Sequence, residues 1–121
     1  MTPGDSYLKH RQAFAELLDP RFYSIEWLDS EVWSGAIRTF GNERGCILTR
    51  LKQYPTGALE IHGEAAAGDM AAILELIEQA EEWGRQMGCG TATIASRPGW
   101  ARVLSEKGWA LHQTELRKGL L

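Results

Sequence analysis

The strongest constraint on the fold lies in segment 69–87, where apolar residues recur every three or four positions. This spacing predicts an α-helix with one apolar face, and the intervening glutamates fall on the other faces. The apolar positions are Met70, Ile73, Leu74, Ile77, Ala80, Gly84 and Met87. Gly88-Cys89-Gly90 follows directly, and a glycine after the last turn is typical of a helix end.

The segment before this helix predicts a β-hairpin. Two alternating stretches, 46–54 and 58–66, flank Pro55-Thr56-Gly57, and a three-residue loop ending in glycine suits a type I turn followed by a left-handed residue. The resulting register places Lys52 opposite Glu60, Arg50 opposite His62, and Leu51 opposite Ile61. Polar residues then meet polar ones and apolar residues meet apolar ones, as cross-strand pairing favours.

The N-terminal third is less regular. Asp5 or Ser6 is a candidate cap for a first helix that ends near Leu18, before Asp19-Pro20. Segment 23–33 is interpreted as short extended or irregular structure, and segment 34–40 predicts a strand.

The C-terminal third continues as strand, helix and strand. Segment 91–95 carries little charge and predicts a short central strand. Ser96 is a candidate cap for a helix with Pro98 in its first turn, and segment 109–116 predicts a last strand. The order of elements predicts one α/β (α+β) domain over residues 1–121, with a mixed, mostly antiparallel sheet flanked by helices.

Composition excludes several classes of function. A net charge of −3 and a pI of about 5.6 disfavour nucleic acid as the main partner. No apolar run is long enough for a membrane span, and no signal-peptide pattern is present, so a cytoplasmic protein is expected. Cys46 and Cys89 form no CxxC pair, and His10, His62 and His112 have no metal-ligand spacing. We therefore expect two free thiols and no metal site.

Residues 101–109 carry a resemblance to a known family. Ala101-Arg102-Val103-Leu104-Ser105-Glu106-Lys107-Gly108-Trp109 resembles the second conserved helix of the GNAT (GCN5-related N-acetyltransferase) superfamily, and the order of elements matches that family over roughly 35–118. The resemblance implies a GNAT-like acyltransferase fold that binds acetyl-CoA between two splayed central strands. It also implies a small-molecule or peptide amine as the acyl acceptor.

The phosphate loop that this family carries is reduced here. Backbone N–H groups near Ala66, Ala67, Gly68 and Met70 are the candidates for binding the pyrophosphate. Only one glycine remains and no basic residue is present. Asp69 favours the alternative of a self-capped helix, because a carboxylate satisfies the same N–H groups and repels an anion.

A second departure concerns the general acid. The resemblance places Leu104 where family members often carry a tyrosine, and a leucine cannot protonate a thiolate.

Glu60, His62 and Glu64 alternate along one predicted strand and are the candidates for a general base. His62 is the preferred one, since an unperturbed imidazole titrates near neutral pH. Glu64 follows Gly63 and is expected at a β-bulge that opens the sheet. The alternative is a solvent-facing ladder of these residues with Arg50 and Lys52.

The loop Ser96-Arg97-Pro98-Gly99-Trp100 leaves a predicted strand at its carboxyl end, a common ligand position. Arg97 is a candidate phosphate ligand, and Trp100 a candidate cover for an adenine or an acyl chain. The alternative is a helix cap, a turn and a packed tryptophan.

Two hypotheses follow. The first is an acetyl-CoA-dependent N-acyltransferase. The second is a non-catalytic GNAT-like interaction or assembly module, a homo-oligomer, for which a phage or mobile-element origin would fit. Trp27 and Trp33 would line an acceptor pocket in the first case or a partner interface in the second.

Overall fold

A computed structural model describes all residues, 1–121. Its core is a mixed four-stranded sheet in the order β1-β2-β3-β4, antiparallel except for the parallel pair β3 and β4. The strands are β1 (Arg38–Gly41), β2 (Gly45–Gln53), β3 (Leu59–Gly68) and β4 (Thr91–Ile94). This confirms the predicted fold class. Strand β4 lies at an edge, however, so the prediction that it is central was wrong.

Helices cover both faces of the sheet. They are α1 (Pro3–Leu17), α2 (Ile25–Trp33), α3 (Met70–Gln86) and α4 (Pro98–Leu104), followed by a 3₁₀ turn (Ser105–Lys107). One apolar cluster lies under α1 and α2 and includes Tyr7, Phe14 and Leu48. A second lies under α3 and includes Ile61 and Leu76. No helix has the length and apolar character that crossing a bilayer would require.

The apolar face of α3 is rotated slightly from the predicted one. Ile73, Ala80 and Gly84 are buried as expected, together with the unpredicted Ala72 and Leu76. Met70 and Met87, at the two ends of the predicted face, are about half exposed, because the helix ends extend beyond the sheet surface that the middle turns cover.

Segment 23–33 is helical, so the prediction of extended structure was wrong. The side chain of Ser24 caps α2 by accepting a hydrogen bond from the N–H of Trp27 at 3.1 Å, and Leu28 buries its side chain against the sheet. Asp29 ties α2 to α1, since it accepts hydrogen bonds from the Tyr7 hydroxyl at 2.7 Å and from Arg11 at 2.6 Å. These contacts hold α2 over the β2–β3 face.

The cap of α1 is Thr2, not Asp5 or Ser6. Thr2 and Asp5 form a reciprocal capping box. The Ser6 hydroxyl is buried and donates to the carbonyl oxygens of Asn42 and Gly45 at 2.8 and 3.0 Å. Ser6 thus anchors the β1–β2 turn to α1.

The hairpin follows the predicted register. Lys52 pairs with Glu60, Arg50 with His62, and Leu51 with Ile61. Gly57 has a φ of 88°, and its N–H donates to the Tyr54 carbonyl at 2.8 Å. This is the left-handed residue that a three-residue loop after a type I turn requires.

Two predictions for the C-terminal third were wrong. Ser96 does not cap α4; the helix begins after Arg97, which makes no side-chain cap. Segment 109–116 is not a strand. Gly108, the residue before this segment, has a left-handed φ of 88°. The backbone groups that follow form no hydrogen bonds with a neighbouring strand, and a strand requires such bonds.

Candidate functional site

Strands β3 and β4 part before β3 ends. The two pair over four residues only, from Glu60↔Thr91 to Gly63↔Ile94. Strand β3 then continues to Gly68, whereas the chain leaves the sheet after Ile94 toward α4. Beyond Gly63, therefore, β3 has β2 on one side and no strand on the other. The backbone groups on that outer edge are free to bind an extended ligand.

A β-bulge lies at the same level. Leu48 pairs with Ala65 and Thr49 with Gly63, so Glu64 is the extra residue in β3. A bulge bends its strand and increases the local twist, which explains why β3 diverges from β4 at this point. The bulge predicted next to Gly63 is present.

Glu60 is a buried carboxylate surrounded by hydroxyl groups. It is only 7% exposed and accepts hydrogen bonds from Tyr54 at 2.7 Å, Thr91 at 2.7 Å and Thr93 at 3.0 Å. Burial alone would raise its pKa, but the hydrogen bonds from the three hydroxyls hold that pKa below its usual value. Glu60 is therefore ionised at neutral pH.

His62 lies between β2 and β4, opposite Arg50 on one side and Thr93 on the other. Its Nδ1 is 2.9 Å from the Thr93 hydroxyl oxygen. Burial, with the nearby charge of Lys52, lowers the pKa of His62 below the ordinary value of 6.5. At neutral pH the ring is uncharged and able to accept a proton.

Glu64 is held in an ion-pair network. Arg50 donates through Nε to Glu64 at 2.9 Å and contacts Glu31 of α2 at 3.5 Å. The predicted surface ladder is thus present in part, as Arg50 pairs with Glu64. Glu60, by contrast, accepts hydrogen bonds from hydroxyl groups.

The junction of β3 and α3 holds the candidate phosphate ligands Ala66, Ala67, Gly68 and Met70. Ala66 and Ala67 have their side chains in the two apolar clusters, so only their backbones can meet a ligand. Gly68 has a φ of 118°. Asp69 accepts a hydrogen bond from the N–H of Ala72 at 2.8 Å.

Asp69 leaves part of the helix end free. The first α-helical hydrogen bond of α3 runs from Ile73 to Asp69. The N–H groups of Met70 and Ala71 therefore have no partner within the helix, while that of Ala72 is capped. The predicted self-capped helix is present, and two donors remain beside its carboxylate.

The remaining candidates lie at the start of α4, within α4 and on α2. Arg97 is exposed at its start, and Trp100 packs partly buried against the cluster under α3. Leu104 is fully buried, and its aliphatic side chain cannot donate a proton at that position. Trp27 packs against the cluster under α1, whereas Trp33 is 58% exposed.

Sequence reasoning missed Tyr54, Thr91 and Thr93, the hydroxyl partners of Glu60. The alternation of Thr91 and Thr93 in β4 was a usable signal, but only the parallel register with β3 shows that both face Glu60. Tyr54 reaches Glu60 across the hairpin end.

A cavity of about 330 Å³ lies at the other end of β4, between α3 and segment 107–110. Arg85, Cys89 and Trp109 are among its lining residues, whereas His62 and Glu64 are not. Burial raises the pKa of the Cys89 thiol, which keeps it protonated. A second, smaller cavity of about 30 Å³ adjoins it at the point where β3 and β4 part; Gly63 and Ile94 line it, and Trp109 lines both cavities.

No protein-family model matches the sequence, and no curated protein does so significantly. Solved structures match over nearly the whole chain. An acetyltransferase from Trypanosoma brucei is 17% identical, with a TM-score of 0.72, covering 99% of this chain and 96% of its own. A GCN5-related N-acetyltransferase from Ralstonia eutropha is 17% identical, with a TM-score of 0.70 and coverages of 99% and 95%.

A third structure, a predicted acetyltransferase from Clostridium acetobutylicum, was solved with acetyl-CoA. It is 10% identical, with a TM-score of 0.66, and the match covers 99% of this chain and 93% of that one. Together these structures show that the chain has the GNAT acetyltransferase fold. The matched region of this chain includes helices α1 and α2.

Proposed function

We propose that this protein is an N-acyltransferase that transfers the acetyl group of acetyl-CoA to a primary amine of a small molecule or peptide. The observation that carries the proposal is the parting of β3 and β4 at Gly63 and Ile94, directly after His62. A free strand edge and a neutral imidazole thereby lie at one place. The acetyltransferases of the same fold support the choice of donor.

Some groups around the point where β3 and β4 part favour binding of acetyl-CoA, and one group opposes it. Backbone groups of β3 from Glu64 to Ala67 suit the amide-bearing arm of CoA, because they lack a strand partner on that side. The N–H groups of Met70 and Ala71 suit a pyrophosphate. The carboxylate of Asp69 opposes that anion and makes this end of the site weak.

His62 is the proton acceptor in this proposal. The amine nitrogen forms a bond to the thioester carbonyl carbon, the carbon–sulfur bond breaks, and Nε2 of His62 takes the proton that the nitrogen loses. The proton then passes to the departing thiolate through solvent, which yields an amide and a free thiol. Glu60 is unsuited to the role because three hydroxyls occupy its oxygens, and Glu64 is bound by Arg50.

The pH dependence follows from the lowered pKa of His62. Because the ring is already mostly neutral at pH 6.5, the contribution of His62 to kcat/KM is expected to be level across neutral pH. It should fall at acidic pH, with an apparent pKa below 6.5, as Nε2 becomes protonated. Dividing the pH–rate profile of the wild type by that of His62→Gln removes the titration of the amine and leaves that of His62, for which a midpoint above 7 would contradict the prediction.

Asp69→Ser is expected to strengthen acetyl-CoA binding. Serine can still cap Ala72, but the negative charge at the helix end is gone. A charge at such a position contributes about 0.3–1 kcal/mol, which corresponds to a gain in affinity of roughly two- to five-fold. Isothermal titration calorimetry measures the change.

The matched control is Glu82→Gln, which removes the same charge near the other end of α3, where Glu82 contacts only Arg85 at 3.3 Å. It should leave the affinity unchanged. Equal affinities for the wild type and Asp69→Ser would show that the pyrophosphate does not bind at this helix end.

The activity itself is tested with acetyl-CoA and a panel of primary amines, including polyamines, amino sugars and peptides with free N-termini. Release of the CoA thiol is followed with a thiol reagent, and the acetylated product is identified by mass spectrometry. Thiol release that depends on one amine class supports the proposal. Binding without transfer to any amine would instead favour the assembly module, which Asp69 and the buried Leu104 also favour.

A further inference from the structure

We propose that Thr93 and Glu60 act as positioning residues, which hold His62 in the tautomer that carries its proton on Nδ1. This leaves the lone pair of Nε2 for the acceptor amine. The inference rests on the proposed function for its catalytic meaning. The hydrogen-bond chain itself is a property of the resting protein and is testable without any substrate.

The hydrogen-bond chain runs across the last paired residues of β3 and β4. Nδ1 of His62 is 2.9 Å from Oγ1 of Thr93, and Oγ1 of Thr93 is 3.0 Å from Oε1 of Glu60. His62 and Thr93 are register partners in the parallel pair. The backbone therefore brings the two side chains together on the same face.

The directions of these bonds follow from counting protons. A threonine hydroxyl has one proton, and an ionised carboxylate can only accept. The proton of Thr93 must therefore point to Glu60, because two bare oxygens at 3.0 Å would repel each other. The Thr93 oxygen is then an acceptor toward His62, so the imidazole proton lies on Nδ1.

The assignment requires that Glu60 is ionised, and its surroundings favour this. Tyr54 donates to Oε1 and Thr91 to Oε2, both at 2.7 Å. With Thr93, the carboxylate receives three hydroxyl hydrogen bonds, a pattern that stabilises the charged form. Protonating Glu60 would disrupt at least one of them.

The charged groups around His62 come from three elements. Arg50 and Lys52 lie on β2, Glu60 and Glu64 on β3, and Glu31 on α2 contacts Arg50. Arg50 is bound between Glu31 and Glu64, and Glu60 is bound by hydroxyls. Nε2 of His62 makes no hydrogen bond within the chain, so the ring has one occupied nitrogen and one open nitrogen.

When Nε2 takes a proton, the hydrogen-bond chain from His62 through Thr93 to Glu60 also stabilises the imidazolium that forms. The imidazolium donates from Nδ1 to Thr93, whose own proton still points to the Glu60 carboxylate. A buried negative charge thus lies one hydroxyl away from the new positive charge. Thr93 fixes the tautomer and orientation of the ring, and Glu60 fixes the direction of the Thr93 hydroxyl.

The first test is nuclear magnetic resonance of the full chain labelled with ¹⁵N at histidine, without ligand and at neutral pH. The expected result for His62 is a protonated Nδ1 and a bare Nε2. His62→Gln assigns the signals by removing them. The opposite tautomer, or an equal mixture, would overturn the inference whether or not the protein transfers acyl groups.

The second test compares Thr93→Val with Thr93→Ser. Valine keeps the branched shape without the hydroxyl, whereas serine keeps the hydroxyl. We expect Thr93→Val to lose the fixed tautomer and to lower kcat roughly 10- to 100-fold, the loss typical when a metal-bound histidine loses its orienting partner, with KM for acetyl-CoA unchanged. Thr93→Ser should retain both the tautomer and most of kcat.

The outcomes separate the two proposals. The positioning role of Thr93 and Glu60 would be overturned if Thr93→Val and Thr93→Ser lost kcat equally. It would also be overturned if the His62 tautomer were unchanged in Thr93→Val. If the expected tautomer is found but the protein acetylates no amine, the hydrogen-bond chain is confirmed and the proposed function is refuted. If Thr93→Val unfolds, Glu60→Gln provides the same spectroscopic comparison, since an amide can donate to Thr93 and reverse the chain.

Discussion

His62→Gln should lower kcat for acyl transfer by roughly 10²–10⁴-fold at neutral pH, the usual contribution of a positioned general base. Glutamine approximates the size and polarity of the imidazole but cannot take a proton from an amine in this pH range. The affinity for acetyl-CoA should remain, because the donor binds through the edge of β3 and the start of α3. Steady-state kinetics with calorimetry separates the two quantities.

His112→Gln is the matched control, since it makes the same change at an exposed position outside the helices and strands. It should leave kcat unchanged. Glu64→Gln should have a smaller effect than His62→Gln, because Arg50 already holds that carboxylate. If His62→Gln retains nearly full kcat, His62 is not the base.

Gly68→Ala should destabilise the fold by about 3 kcal/mol or more. The φ of Gly68 is 118°, where L-residues are strained by about 1–3 kcal/mol. A Cβ at this position would also overlap the Arg44 carbonyl oxygen and lie 2.5 Å from the Gly45 Cα. Both are backbone atoms of the β1–β2 turn, so the junction of β3 and α3 would have to move, and overpacking adds about 1–3 kcal/mol.

Gly35→Ala separates the two causes. Gly35 also has a positive φ, 85°, but no atom lies within 4 Å of a Cβ built there. We expect it to cost only about 1–2 kcal/mol, the strain of a left-handed residue. Chemical denaturation measures both variants, and equal losses would show that contact with the turn is unimportant. We therefore expect Gly68 to be required for packing, independently of any ligand.

The hairpin and α3 were predictable because their signals are local. Alternation over two strands and a glycine at the turn determine the register that pairs Arg50 with His62. Helix α2 was not predictable in this way. It has nine residues, and short helices depend on tertiary contacts, here the burial of Leu28 and the ties of Asp29 to Tyr7 and Arg11.

For the candidate site, the sequence predicted the strand that carries Glu60, His62 and Glu64 and the bulge at Glu64, and the structure contains both. Residue type alone favoured His62 as the base, but the alternation could not show the different surroundings of Glu60, His62 and Glu64. The difference arises from partners far away in the chain. Thr91 and Thr93 bind Glu60 through the parallel pairing, and Arg50 binds Glu64.

The most direct test is a titration of the ¹⁵N-labelled protein with acetyl-CoA, followed by amide chemical shifts. Saturable changes are expected along β3 from Glu64 to Gly68, at Met70 and Ala71, and near the end of β4 at Ile94. Shifts confined to the cavity beside Arg85 and Cys89, or no shifts at millimolar acetyl-CoA, would contradict the proposed function, because the donor would then not bind between the parted strands.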